Sequence, residues 1–214
     1  VNREDFDVVH KFSNEPTKLF KEITDLGYTG ITIIPDVHSM YESMSNAIAW
    51  AKSRNHFIIF LGDLVDYGPR PIDVVNDVYR LLVRGECLLG AGNHEVKISK
   101  WFVQSRQKNI KIRISAGNAI TIEKLKRLDA DSFKSFENKF KTLLALSRNH
   151  IIINNVLLTH AACHTEFWGR NDLKLEGNLE KFALYGQLDK DKPFKENGFP
   201  NRVYHWVDDV PKDK

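Results

Sequence analysis

Residues 31–40 read ITIIPDVHSM, and the turn from hydrocarbon to ligand chemistry inside them sets the fold. Ile31, Ile33 and Ile34 suit a pleated, buried surface. The run then ends in a carboxylate and an imidazole two residues apart. In extended backbone such residues face the same way. Asp36 and His38 could therefore share a cation, or be a capping Asp and an ordinary loop His. The rest of the chain decides between these readings, because the pattern recurs. FIIFL (57–61) runs into GDLVDYGP (62–69), CLLGA (87–91) runs into GNHE (92–95), and IIINNVLLTH (151–160) ends on Thr159-His160.

Amphipathic stretches separate these runs. Glu15-Pro16 opens a helix with Leu19, Phe20, Ile23 and Leu26 at helical spacing, closed by Gly27 and Gly30. A second helix, Tyr41 to Ser53, carries Met44, Ala47, Ile48 and Ala51. Pro69 and Pro71 lead into a third, with Ile72, Val75, Val78, Tyr79 and Leu82, which stops at Gly85. Strand–helix–strand–helix–strand predicts an α/β fold with a mostly parallel sheet covered on both faces. Residues 97–147 are more polar and helical, with Phe133, Phe136, Phe140, Leu143 and Leu144 on one face. They are expected to form a helical insertion that either packs on the core or caps a site. Asn154-Asn155 predicts a two-residue hairpin turn. Beyond it, FALYG (182–186) and NGFPNRVYHWVDDVP (197–211) look the most ordered.

The chain has 214 residues, 42% hydrophobic and 28% charged, with net charge +3; the sequence pI is about 8.7. That size suits a single domain over residues 1–214. Mild basicity accommodates an anionic substrate; nucleic acid is possible but not indicated by charge. No apolar stretch approaches a membrane span. Cys87 and Cys163 do not form a disulfide framework, so a cytoplasmic setting is expected. The first residue is Val rather than Met, which suggests a partial chain.

Four apolar runs thus end in Asp36/His38, Asp63/Asp66, Asn93/His94 and His160. Ligands of parallel α/β sheets bind outside the carboxyl ends of the strands, so these clusters should share one rim. Carboxylate, imidazole and amide oxygen suit Mn²⁺, Fe or Zn²⁺ in a reactive site rather than a thiolate-rich structural zinc. Gly62 and Gly92 let the backbone turn sharply just before Asp63 and Asn93.

The series DVH, GDLVD, GNHE and TH, in this order from Ile31 to His160, resembles the calcineurin-like metallophosphoesterases, including the phosphoprotein phosphatases. More narrowly, GDLVDYGP, GNHE, FALYG and NGFPNRVYHW are similar to the phosphatase module of bacterial polynucleotide kinase-phosphatases and to phage-type Ser/Thr phosphatases. The resemblance implies a layered sheet sandwich flanked by helices, with the active site at the strand C-terminal ends. It also implies two divalent ions, Mn²⁺ first among the candidates, with Fe, Zn²⁺, Ni²⁺ or Mg²⁺ as others. Asp36 and His38 would bind the first ion, Asp63 would bridge, and Asn93 and His160 would bind the second. A hydroxide activated by both ions would attack phosphorus in line. His94 would protonate the leaving group, and Asp66 would orient it.

Some positions depart from the family pattern. Ser39 stands where a Gly is usual, and Tyr67 where the phosphoprotein phosphatases carry a phosphate-gripping Arg. Arg70, Arg170 and Lys181 are the substrate-binding candidates that could replace that charge. The family's last metal-binding His, in a Gly-His pair, has no counterpart here. It would lie beyond Lys214, unless His205 takes its place. His164 and the two cysteines are expected to be ordinary side chains, and His10, His56 and His150 surface or core residues. The expected activity is metal-dependent hydrolysis of phosphomonoesters on a small-molecule, peptide or nucleotide substrate, RNA-end phosphates included. The alternatives are a symmetrical dinucleoside-tetraphosphate hydrolase and a non-catalytic metal-binding scaffold or repair-module domain.

Overall fold

Residues 12–106, 114–170, 174–192, 195 and 201–202 are described by the structure, a computed structural model. Strands and helices alternate first: α1 (Pro16–Asp25), β1 (Gly30–Ile34), α2 (Tyr41–Ser53), β2 (His56–Phe60), α3 (Pro71–Val83) and β3 (Cys87–Leu89). Three helices follow, α4 (Asn93–Gln104), α5 (Ala116–Lys126) and α6 (Ala130–Leu146). The hairpin β4 (His150–Ile153) and β5 (Val156–Thr159), a 3₁₀ turn (Thr165–Gly169) and α7 (Gly177–Tyr185) complete the order. His10 and residues 203–211, His205 included, lie outside the described residues. No helix among the described residues is long and apolar enough to cross a membrane.

β1 and β3 both pair with β2 in parallel. The middle strand therefore has neither a free edge nor a wet face, which is why its sequence is an unbroken apolar run. Successive side chains go to opposite faces. Phe57 and Ile59 join Phe12, Leu19, Ile23, Ile151 and Ile153, the layer of α1 and the hairpin. Ile58 and Phe60 join Met44, Val74, Val78, Phe102 and Phe140, the layer of the remaining large helices. The α6 face expected from the sequence is real, and Phe136, Phe140 and Leu143 are buried in that second layer. In α1, Leu19 and Ile23 face inward, whereas Phe20 and Leu26 stay 42% and 52% exposed. Leu26 lies just past the last helical residue.

The hairpin is antiparallel, with Asn154 at φ 55° in its two-residue turn. It is tied to the parallel sheet where Arg148 N donates to Leu89 O (2.9 Å) and Ala91 N to Arg148 O (2.8 Å).

The loops beyond the parallel strands are bonded to one another. Val37 N and His38 N both donate to Asp63 O (3.0 and 2.8 Å), Ser39 N donates to Leu64 O (2.8 Å), and Gly68 N to His38 O (2.9 Å). A Cβ on Gly62 would lie 2.4 Å from Gly92 N, and one on Gly92 2.1 Å from Asp63 N. The two Gly-led loops therefore touch backbone to backbone. Buried Glu95 completes the join: its Oε2 accepts from Asp63 N (2.8 Å), and its Oε1 from Leu64 N (2.8 Å) and Val65 N (3.2 Å).

These tight turns place His38, Ser39, Asp63, Asp66 and Tyr67 at positive φ, between 46° and 79°. That conformation costs a non-glycine residue roughly 1–2 kcal/mol. Two consequences can be measured by denaturant or thermal unfolding. Ser39, fully buried at φ 60° with no hydrogen-bond partner for its hydroxyl among the described residues, is the weak point of its loop. Ser39→Gly is expected to raise the unfolding free energy by about 1 kcal/mol, the relief of strain exceeding the entropy that glycine adds to the unfolded chain. Glu95→Gln keeps the shape but leaves one oxygen for three N–H groups, and should cost about 1–3 kcal/mol.

Candidate metal centre

The loops converge on one carboxylate. Asp63, only 3% exposed, accepts from His94 N through Oδ1 at 3.0 Å. Its Oδ2 faces three imidazoles: His160 Nε2 at 3.4 Å, His94 Nε2 at 3.7 Å and His38 Nε2 at 3.9 Å. Asp36, half exposed at the mouth, stands between His38 Nε2 (3.8 Å) and His160 Nδ1 (3.6 Å). Among the described residues two groups could hold an ion, His38–Asp63–His94 and Asp36–Asp63–His160, and Asp63 is common to both.

Second hydrogen bonds set the direction of each ring. His38 Nδ1 pairs with Val65 O (3.1 Å) and His160 Nδ1 with Leu61 O (2.9 Å). Each Nδ1 is then a donor to a carbonyl and each Nε2 is turned toward Asp63, the ring orientation of a metal-binding imidazole. Asn93 Nδ2 donates to Leu184 O (3.3 Å), while its Oδ1 is buried without a partner among the described residues. An amide oxygen so placed is costly unless something binds it, and a divalent cation is the natural occupant. The donors present, carboxylates, imidazoles and one amide oxygen, fit such ions.

Electrostatics follow from the same contacts. Burial works to raise the Asp63 carboxyl, but the His160 hydrogen bond and the charges of His160 and His94 hold it below the usual range. Burial works against the charged form of His94, and the Asp66 hydrogen bond with the Asp63 charge outweighs it, raising the imidazole. His160 is raised the same way, by Asp63, against its burial. Burial, joined by the Asp63 charge, pushes the Glu95 carboxyl up to about 7, with the Leu64 and Val65 amides in partial opposition.

His94 Nδ1 meets Asp66 Oδ2 at 2.5 Å. Asp66 is fully buried and also accepts from Asn118 Nδ2 and Thr121 Oγ1. Asn118 and Thr121 belong to α5, and neither had been singled out in the sequence. The Ser115-x-x-Asn118 spacing of a capping box was legible, but not that the amide also reaches Asp66. Tyr67 rests edge-on against the His38 ring (4.9 Å) and tilted against His94 (5.5 Å), 55% exposed at the rim. Burial, with the Glu180 and Asp63 charges, raises the Tyr185 hydroxyl.

The three cationic candidates lie on three different elements. Arg70 is engaged by Glu42 and Asp73, both at 2.7 Å, and covers the Tyr41 ring. A guanidinium holding two carboxylates is a poor free clamp for a third anion. Arg170 ends the 3₁₀ turn, its carbonyl paired with His150 Nε2 (3.1 Å). Lys181 lies exposed on α7. His164 caps the 3₁₀ turn by accepting from Glu166 N. Both cysteines are free thiols.

The profile of calcineurin-like phosphoesterases matches residues 29–213. Curated relatives carry the name bis(5′-nucleosyl)-tetraphosphatase PrpE, asymmetrical. The one from Geobacillus sp. (strain WCH70) is 28% identical over 131 residues, 60% of this chain and 50% of its own length. The one from Oceanobacillus iheyensis is 27% identical over 170 residues, covering 74% and 64%. The chain thus spans half to about two thirds of the length of these relatives. A metallophosphoesterase structure from Sphaerobacter thermophilus aligns at TM-score 0.40 and 24% identity, over 62% of this chain and 46% of that one. On the match over residues 29–213, the chain belongs to the calcineurin-like phosphoesterase family.

Proposed function

We propose that this chain hydrolyses phosphate esters at a two-metal centre, with phosphomonoesters as its basic substrate class. The observation that carries the reading is Asp63 Oδ2 facing three imidazole nitrogens at 3.4–3.9 Å while belonging to both candidate ion groups. By the family resemblance Asp36 and His38 would hold one ion, Asn93 and His160 the other, and Asp63 both. Distance alone groups Asp36 with His160 and His38 with His94, so the resemblance supplies the partition and the geometry supports only the shared Asp63. Mn²⁺ suits this mixture of oxygen and nitrogen donors. When bound, such a pair supplies an activated water and neutralises charge on the phosphoryl oxygens.

The chain's own residues do the remaining work. His94, with Nδ1 held by Asp66, presents Nε2 to the site and hands a proton to the departing oxygen. Tyr67, where an arginine is usual in the phosphoprotein phosphatases, offers one uncharged donor at the rim. Lys181, on the helix whose Leu184 carbonyl holds Asn93, is with Arg170 a candidate for substrate phosphate. The names of the curated relatives favour a second reading, in which dinucleoside tetraphosphates are the substrate.

A matrix of Mn²⁺, Ni²⁺, Mg²⁺ and Zn²⁺ against p-nitrophenyl phosphate, a phosphodiester, a phosphopeptide and a dinucleoside tetraphosphate separates the two. Preferential turnover of the tetraphosphate would replace the phosphomonoester reading. Asp63→Asn should abolish turnover and reduce bound metal measured by calorimetry, with the circular dichroism spectrum retained; full activity in saturating Mn²⁺ would sink the two-metal assignment. His94→Ala should lose roughly 10²–10⁴-fold on an alkyl phosphate but much less on p-nitrophenyl phosphate, whose phenolate leaves without a proton. Equal losses would mark His94 as a metal ligand instead.

A further inference from the structure

We propose that α5, within the helical insertion, is a working part of the site: Asn118 and Thr121 are positioning residues that orient Asp66 and, through it, the proton-donating His94. The inference rests on the reading of His94 as the leaving-group acid.

The hydrogen-bond directions around Asp66 admit one arrangement. Thr121 Oγ1 accepts from Asp66 N at 3.0 Å, so its own proton is directed to Asp66 Oδ1 at 2.7 Å. Asn118 Oδ1 is taken by Ser115 N (3.2 Å) and Ser115 Oγ (2.7 Å), so its NH₂ end faces Asp66 Oδ2. Both carboxylate oxygens are therefore acceptors from α5. The remaining contact, Oδ2 to His94 Nδ1, makes the imidazole a donor there. Nε2 is then the atom left facing the reacting centre. Without Thr121 and Asn118, a carboxylate on a turn at φ 79° would have, among the described residues, only His94 to set its side-chain angle.

The helix is built to deliver these two groups. Asn118 and Thr121 are one turn apart and so share a face. Ile122 and Leu125 are buried in the core, anchoring the helix. Gly117 permits the close approach, because a Cβ there would meet the Tyr67 ring at 2.9 Å, the ring that packs against His94. Gly117, Asn118 and Thr121, in the first two turns of α5, thus touch Tyr67 and Asp66, the two groups that contact His94.

The test is a double-mutant cycle on the whole chain in saturating Mn²⁺. Asn118→Ala, Thr121→Val and Thr121→Ser are made alone and with His94→Ala, and kcat and KM are measured on an alkyl phosphate and on p-nitrophenyl phosphate. Asn118→Ala and Thr121→Val are expected to lower kcat on the alkyl phosphate about 10-fold, a part of the acid's full contribution, and on p-nitrophenyl phosphate less than about 3-fold. KM should hold, Thr121→Ser should behave as the parent, and in the His94→Ala background neither variant should lose more. Melting curves identify folded variants; if Thr121→Val does not fold, Asn118→Ala carries the cycle. Equal losses on both substrates, or an undiminished loss in the His94→Ala background, would overturn the positioning role while leaving His94 as the acid. A His94→Ala enzyme that fails to distinguish the substrates would overturn both.

Discussion

A carboxylate taken almost wholly out of water, with three imidazoles about it, is the constraint on which the rest of this structure depends. Buried charge is expensive unless it is paired and hydrogen-bonded. Asp63 meets that requirement through His94 N and the surrounding imidazoles, and its own backbone is pinned by Glu95. Glu95 is itself a buried acid, and the three amides it accepts are what make its burial tolerable. Two carboxyl groups therefore sit close together inside the protein, as Asp63's contribution to raising Glu95 reflects. Divalent cations on the imidazole side would relieve this concentration of negative charge.

The loops that achieve this pay in backbone conformation. Of the seven non-glycine residues at positive φ among the described residues, five lie in the two loops around His38 and Asp66. Such strain persists only where the surroundings over-determine it. Here the cross-loop bonds from Val37, His38, Ser39 and Gly68 supply that determination, and the missing side chains of Gly62 and Gly92 allow the loops to touch. Rigidity bought in this way suits a site that must hold ligands at fixed separations.

The helices within residues 97–147 have two distinct roles in the packing. From sequence the segment is an apolar face of Phe136, Phe140 and Leu143 that either packs or caps. It does pack, through α6, and α5 also reaches the buried carboxylate Asp66. Asn118 and Thr121 are more than fifty residues from Asp66 along the chain, and both types are common on helices for ordinary reasons. No local pattern distinguishes an Asn that only closes a capping box from one that also reaches a buried carboxylate.

Much of the architecture is nonetheless written locally. The unbroken apolar run at 57–60 implies a strand covered on both faces, and the helices after Tyr41 and Pro71 follow from spacing, proline and glycine. Asp36, His38, Asp63, Asn93 and His160 were legible as candidate ligands because each follows an apolar run; the parallel strands β1, β2 and β3 deliver the first four to one rim, and the antiparallel hairpin brings His160 there. Periodicity and the chemistry of strand ends are properties of short segments, so the sequence by itself determined them. The tertiary structure alone decided that Asp63 faces three imidazole rings, that Glu95 ties its loop, that Arg70 is occupied by Glu42 and Asp73, and that α5 holds Asp66. These are contacts between segments distant in the chain, and only the packing of the layers brings their atoms within hydrogen-bonding range.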